Sequence, residues 1–318
     1  GQGDKIVSVA FDPRSGIVGA GSADGTFAVW DARVRARFGS DLVPVRGEVT
    51  DVATGRRGRV ALVTAARALF VRPLAGSGRG HRPAGSVYRV SASSDGRRIA
   101  AGDGGVATGR FDGRKLRGLR PREPIDDVSV APGGAIAAIA ARPDVSSGVR
   151  RWDARGRPQP TLDPPGSRQR IGRSAAIGAG GRMIAAGYLD GAVVLWRPDG
   201  HEKSQGVVLG THREPVTDVA FDPKDTRLAS ADSGGTIAIW DPEKRGARFR
   251  LTGHTQWVTS LAFSPDGRLL ASASLDGSVS LWDPRSGRQL AETLRLGERV
   301  SAVAFTPDGR ALVAAHVP

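Results

Sequence analysis

His254, Ser272 and Asp276 put an imidazole, a hydroxyl and a carboxylate into one short stretch of chain. Those three groups together are what nucleophilic acyl transfer uses, a serine activated by a histidine that a carboxylate orients. The rest of that machinery is missing. Ser272 stands inside an apolar run that predicts burial, and no G-x-S-x-G segment sets a serine at a strand-to-helix turn. Nor is there a G-x-x-x-x-G-K-[ST], an H-E-x-x-H or a G-x-G-x-x-G opening a helix. With no Cys and only five His, the chain has no disulfide framework, thiolate metal site or cysteine nucleophile. His81, His201 and His316 are isolated, and Asp126-Asp127 reads as a solvated or capped acidic pair near the start of a strand. The clusters Gly76-Ser77-Gly78-Arg79-Gly80 and Gly102-Asp103-Gly104-Gly105 fall in predicted inter-strand loops and read as turns, not phosphate cradles. No enzyme, cofactor or metal is expected.

The segment holding the three groups, Gly253 to Leu294, has its own logic. Apolar residues at Val258, Leu261 and Phe263 run into Ser264-Pro265-Asp266-Gly267. A second run, Leu269 to Ser274, ends in Asp276-Gly277; a third, Ser278 to Trp282, closes in Trp282-Asp283; a fourth spans Gln289 to Leu294. Runs of five or six residues separated by Asp-Gly turns predict antiparallel strands joined by tight hairpins, because such turns need the positive φ that Gly adopts without strain. The segment is a four-stranded sheet.

The same unit recurs along the whole chain. Segments 6–31, 49–72, 87–112, 125–153, 172–197, 216–241 and 258–283 repeat it, and their closing aromatics stand at 30, 70, 111, 152, 196, 240 and 282, a period of 40 to 44 residues. The second copy is degenerate, with Phe70-Val71 in place of Trp-Asp. A single sheet cannot bury both faces, whereas sheets stacked in a ring bury each face against a neighbour and expose only short edges.

On these repeats the chain resembles the WD-repeat (WD40) β-propeller family, in particular bacterial WD-repeat arrays of larger multidomain proteins. The resemblance implies one all-β propeller over 1–318, with seven complete four-stranded blades at about 5–46, 47–84, 85–122, 123–168, 169–212, 213–254 and 255–296 and a partial eighth at 297–318. Arg299 to Val317 reads as the first two strands of that eighth unit. Three arrangements fit: eight positions with an incomplete last blade, an array continuing into further repeats, or seven closed blades with the last pair packed outside. Eight positions is preferred, because Val300, Val303 and Phe305 form a strand that needs burial on both faces.

The resemblance also assigns His254, Ser272, Asp276 and Trp282 to the family's structural hydrogen-bond network, in which the imidazole sits between carboxylate and hydroxyl while the indole N–H donates. The preceding unit keeps His212, Ser230 and Trp240 but has Gly234 where the Asp would stand. The first unit keeps Asp24 and Trp30, with Ala20 for Ser.

Function then falls to surfaces. Propellers work through the channel rim where each first strand begins, and a rigid rim can read a peptide or protein loop. Aligned rim positions are Lys5, Glu48, Ser86, Pro124, Ile171, Pro215, Trp257 and Arg299, with Arg213 beside them. Trp257 is either a ring packed on a neighbouring blade or an exposed anchor of the hot-spot type.

Charge marks a second surface. The net charge is +14. Residues 31–123 hold 20 basic and 8 acidic residues, nearly all of the excess. Arg33, Arg35 and Arg37 alternate along the predicted fourth strand of the first unit, Arg56, Arg57 and Arg59 sit in a predicted turn of the second, and Arg114, Lys115, Arg117, Arg120 and Arg122 cluster in the third. Only five of the 46 basic residues are Lys and Asn is absent, so codon bias accounts for part of this composition. The bland reading is solvated outer strands; the sharper one is a surface for nucleic acid or an acidic partner, against which stands the lack of interleaved aromatics. The reading that results is a non-enzymatic scaffold or sensor module binding a protein or peptide, or other domains of the same longer chain, with nucleic acid as the alternative. Cytoplasmic location is the default, because no signal peptide and no apolar run long enough to span a membrane is visible. The chain starts at Gly1 with Met183 as its single methionine, which suggests a piece of a longer protein. In that family such arrays are often joined to a signalling NTPase, kinase or protease.

Overall fold

The computed structural model describes residues 97–102, 105–110, 116–119, 125–140, 148–166, 170–198, 206–244 and 246–290, with 61, 69, 90, 91 and 93, and elsewhere the backbone of strands alone. Thirty strands are described, in eight antiparallel sheets that follow chain order. The first sheet has β1 (Ile6–Asp12), β2 (Ile17–Ser22), β3 (Phe27–Asp31) and β4 (Ala36–Leu42); the second has β5 (Val49–Gly55), β6 (Arg59–Thr64) and β7 (Leu69–Pro73). The third comprises β8 (Arg89–Ala92), β9 (Arg98–Gly102), β10 (Val106–Arg110) and β11 (Arg117–Gly118), and the fourth β12 (Ile125–Val130), β13 (Ile136–Ala140), β14 (Val149–Trp152) and β15 (Pro158–Leu162). The fifth is β16 (Gly172–Ile177), β17 (Ile184–Tyr188), β18 (Ala192–Trp196) and β19 (Val207–Thr211). In the sixth are β20 (Val216–Phe221), β21 (Leu228–Asp232), β22 (Ile237–Trp240) and β23 (Ala247–Leu251). The seventh contains β24 (Val258–Phe263), β25 (Leu270–Ser274), β26 (Ser278–Asp283), β27 (Arg288–Gln289) and β28 (Leu294–Arg295), and the eighth β29 (Arg299–Phe305) and β30 (Leu312–Val317).

Five of the seven units expected to have four strands show them among the described residues. The second shows three, and in the seventh the expected fourth strand is split, β27 pairing with the end of β26 and β28 with its start. The hairpins are those the Asp-Gly pairs call for: Gly267 and Gly277 take φ of 69° and 81°, where a side chain would strain the turn. Burial follows strand position. The second strands β13, β17, β21 and β25 are buried throughout, covered on both faces by neighbouring sheets, and their small residues (IAAIA, IAAGY, LASAD, LASAS) let those sheets approach. First strands alternate between buried and half-buried, as in β20 and β24, and outer strands are largely exposed, as in β15.

The core runs from sheet to sheet. Val193 and Leu195 of β18 pack with Val216, Val219 and Trp240 of the next sheet, and Ile237 and Ile239 of that sheet pack with Val258, Leu261 and Trp282 of the one after. First strands therefore stack on first strands: β12 on β16, β16 on β20, β20 on β24, and β24 on β29. At the chain's start, β1 packs on β5 on one side and on β29 and β30 on the other. Seven of the eight first strands carry a register shift near their start, for instance between Ile125 and Asp127, Gly172 and Ser174, and Val216 and Asp218. Each shift sets two residues against one and re-aims the side chain that follows. No helix among the described residues is long and apolar enough to cross a membrane.

Candidate functional site

The Ser-His-Asp trio of the seventh sheet lies inside the protein. His254 Nε2 is 2.7 Å from Ser272 Oγ, His254 Nδ1 is 3.0 Å from Asp276 Oδ2, and Trp282 Nε1 donates to Ser272 Oγ at 2.9 Å. One direction of donation satisfies every group: indole N–H to the Ser272 oxygen, Ser272 hydroxyl to Nε2, and Nδ1–H to the carboxylate. Burial holds the His254 imidazole below its ordinary range, favouring the neutral ring this chain of donors needs. Ser272 is 0% exposed and its oxygen already sits between indole and imidazole, so the hydroxyl has no line to a substrate. The trio ties the turn before β24 to the middle of its own sheet. It is a structural clasp.

The sixth sheet holds a second complete clasp, which corrects the expectation that Gly234 costs it the acid. His212 Nδ1 lies 2.9 Å from Asp232 Oδ2, His212 Nε2 lies 2.6 Å from Ser230 Oγ, and Trp240 Nε1 donates to Ser230 Oγ at 2.7 Å. Asp232 ends β21, two residues before Gly234, and its other oxygen accepts the Gly234 and Thr236 amides at 2.9 and 2.8 Å. The sequence signal is the change from LASAS in β25 to LASAD in β21. In the fifth sheet the Trp196 indole donates to the Asp163 carbonyl at 3.2 Å.

Three rim positions are held through their backbone. The carbonyl before each of three successive first strands accepts an amide from the turn between the second and third strands of its sheet: Ile171 from Leu189, Pro215 from Ser233, and Trp257 from Leu275, each at 2.9 Å. Trp257 is 50% exposed, which makes it an open ring at the rim and not a core residue. At the corresponding edge of the sixth sheet Arg213 is exposed and Pro215 half-buried. Leu189, at 39% exposure, stands by Ile171 in the fifth sheet, and the half-buried Leu275 by Trp257 in the seventh. Sequence reasoning passed over both, although each directly precedes an Asp-Gly turn. Lys5 and Glu48 lie outside the described residues, as do Ser86 and Pro124; Arg299 opens β29, with its side chain outside them.

Of the basic patch, Arg33, Arg35, Arg56, Arg57, Arg114 and Lys115 lie outside the described residues. Arg37 falls on β4, described from Ala36, and Arg59 opens β6 where a turn was expected. Arg117 is exposed on β11 and donates to the Arg155 carbonyl at 3.4 Å. Of the two readings of Asp127, solvated or capped, the solvated one does not hold. Asp127 accepts the Ser174 hydroxyl and the Ala175 amide of the adjacent sheet, each at 3.0 Å. Among the described residues no three His, Cys, Asp or Glu side chains are grouped to hold a metal.

Residues 1–31, 203–241 and 247–283 match the family model described as WD domain, G-beta repeat. Among curated proteins, THO complex subunit 3 of Arabidopsis thaliana is 37% identical over 71 residues, which is 21% of this chain and 22% of that protein. The chain thus matches about a fifth of that relative's length. Among solved structures, the crystal structure of the computationally designed Ika8 protein is similar with a TM-score of 0.75 and 21% identity, over 100% of this chain and 98% of that one.

Proposed function

Because the chain belongs to the WD-repeat family, whose members generally act as protein-interaction scaffolds, we propose that it is a non-enzymatic module that binds a protein or peptide at the rim where its first strands begin. The observation that carries this reading is Trp257: a half-exposed indole whose backbone carbonyl is pinned by the amide of the half-buried Leu275. An aromatic on a backbone already fixed before binding spares the loop ordering that a partner would otherwise have to impose. We read the eight sheets as eight positions around one axis, the last incomplete, which is supported by β1 lying between β5 on one side and β29 with β30 on the other. We further propose a cytoplasmic scaffold or sensor role of the kind its resemblance to bacterial WD-repeat arrays implies.

Covering the exposed half of the ring removes on the order of 100 Å² from water, about 2–3 kcal/mol at roughly 25 cal/mol per Å². Trp257→Ala therefore weakens capture about 30- to 100-fold. The test is a pull-down from source-cell lysate with wild type and Trp257→Ala, each with and without nuclease. A protein retained by wild type, lost by the variant and indifferent to nuclease supports the rim. Capture that survives the variant and vanishes with nuclease assigns the function to the arginine-rich units.

A further inference from the structure

The register shifts of the first strands put Asp127, Ser174 and Asp218 at the same place in β12, β16 and β20, and in three successive sheets those side chains meet. Ser174 Oγ lies 3.0 Å from Asp127 Oδ2 and 3.1 Å from Asp218 Oδ1, and it accepts the Val219 amide at 3.2 Å. The carboxylates also hold backbone. Asp127 takes the amides of Val128 at 2.8 Å and Ala175 at 3.0 Å; Asp218 takes those of Val219 at 2.8 Å and Leu261 at 2.7 Å. Leu261 belongs to β24, so the chain of contacts crosses four sheets.

The protons do not suffice if both acids are ionised. Ser174 is buried and has one hydroxyl hydrogen for two carboxylate contacts. With two carboxylates charged, one short O···O contact has lone pairs on both sides. A single added proton on Asp218, directed at Ser174, makes both contacts hydrogen bonds, because Ser174 then gives its own proton to Asp127.

We propose that Asp127, Ser174 and Asp218 form a proton-binding site, in which one proton shared through the Ser174 hydroxyl fastens β12, β16, β20 and β24 together and whose release loosens that joint. The surroundings favour retention. Enclosure by protein and the negative charge of Asp127 push the Asp218 carboxyl up to about 7, although its side chain still reaches some solvent along the first strands. The Leu261 and Val219 amides and the Ser174 hydroxyl pull the other way without cancelling this. Arg173 beside Ser174 is exposed, Asp126 adds another acid on β12, β17 brings only the buried Tyr188 phenol, Asp232 on β21 is committed to His212, and β24 carries no charge. In the adjacent third sheet, whose β8 packs on β12, Arg89 takes the same strand position, and Asp51 takes it on β5 beyond, with both side chains outside the described residues.

The sign follows from linkage. An ordinary Asp ionises near 3.9, so between about pH 4 and 7 the folded chain holds a proton that the unfolded chain has lost. This contribution is full below that window and declines as pH rises through it. The test is an NMR titration of the full chain carrying ¹³C-carboxyl aspartate, with the Asp218 signal identified by its loss in Asp218→Asn, whose amide mimics the protonated acid. One aspartate should titrate two or more units above the ordinary value, and Asp127→Asn, which removes the neighbouring charge, should bring it down by at least one unit. In parallel, the melting temperature of Asp218→Asn relative to wild type should rise as pH goes from 5 to 8. If Asp218→Asn does not fold, the shift in Asp127→Asn identifies the signal. All aspartates titrating near 4, or a raised signal indifferent to Asp127→Asn, overturns the proposal.

Discussion

Replacing Asp232 by Ser should unseat the clasp of the sixth sheet, and adding Asp at position 234 should restore it. The reasoning is that two backbone sites can deliver a carboxylate to the same imidazole. In the seventh sheet Asp276, in the turn, reaches His254 Nδ1 while Ser274 ends the strand and accepts the Asp276 amide at 3.1 Å. In the sixth, Asp232 on the strand end does both tasks. Asp232→Ser keeps an acceptor for the turn but leaves the buried His212 Nδ1–H without its charged partner, a loss of roughly 2–4 kcal/mol. Gly234 is outside the left-handed region, and the nearest atom to an added Cβ is Glu214 Cγ at 2.9 Å, in a flexible exposed side chain. Asp232→Ser/Gly234→Asp should therefore unfold in urea within about 1 kcal/mol of wild type. Gly234→Asp alone should be destabilised by about 1 kcal/mol, through crowding of two carboxylates. The double-mutant cycle should show a coupling of at least 2 kcal/mol, with matching hydrogen-exchange protection in β20 to β22. Additive losses in the double variant, or an Asp232→Ser cost under about 0.5 kcal/mol, would refute the two-site explanation.

Three other substitutions probe the packing and the rim. Trp257→Ala should leave the melting temperature within the noise of a surface change, under about 0.5 kcal/mol, in contrast to its effect on capture. An added Cβ at Gly187 would lie 2.2 Å from Val216 Cγ1 of the next sheet, so Gly187→Ala should cost about 2–3 kcal/mol in urea unfolding, and Val216→Ala in the same chain should recover part of it. Asp225, at φ 58°, accepts the Ala179 and Gly180 amides of the neighbouring sheet at 2.7 and 2.8 Å; Asp225→Ala should lose roughly 1–3 kcal/mol, and Asp225→Asn, which tolerates that backbone and keeps an acceptor, distinctly less.

The repeat, the hairpin turns and the closing tryptophans were legible because they are local. Asp266-Gly267 and Asp276-Gly277 announce their turns within two residues, and Trp152, Trp196, Trp240 and Trp282 stand at or next to the ends of strands whose apolar content demands burial. The clasp of the seventh sheet was legible through its resemblance to a family pattern, yet the same pattern hid Asp232, because it fixes one position for a carboxylate that geometry can supply from two. Asp127 and Asp218 were hidden for another reason. Their partners, Ser174, Ala175 and Leu261, lie a full repeat away, and a strand's own alternation says nothing of the amide opposite it in the next sheet. For Trp257 sequence left core and surface open, since both place an aromatic before a first strand; only the accessible area of the ring separates them.

The most direct measurement of the central claim is site-specific photo-crosslinking with a probe at position 257 and a second at Leu290, which is similarly exposed but lies just past β27 on the outer side of its sheet. The account requires a protein adduct at 257, absent at 290 and insensitive to nuclease. Equal adducts at both positions, or adducts at 257 lost on nuclease treatment, would contradict it.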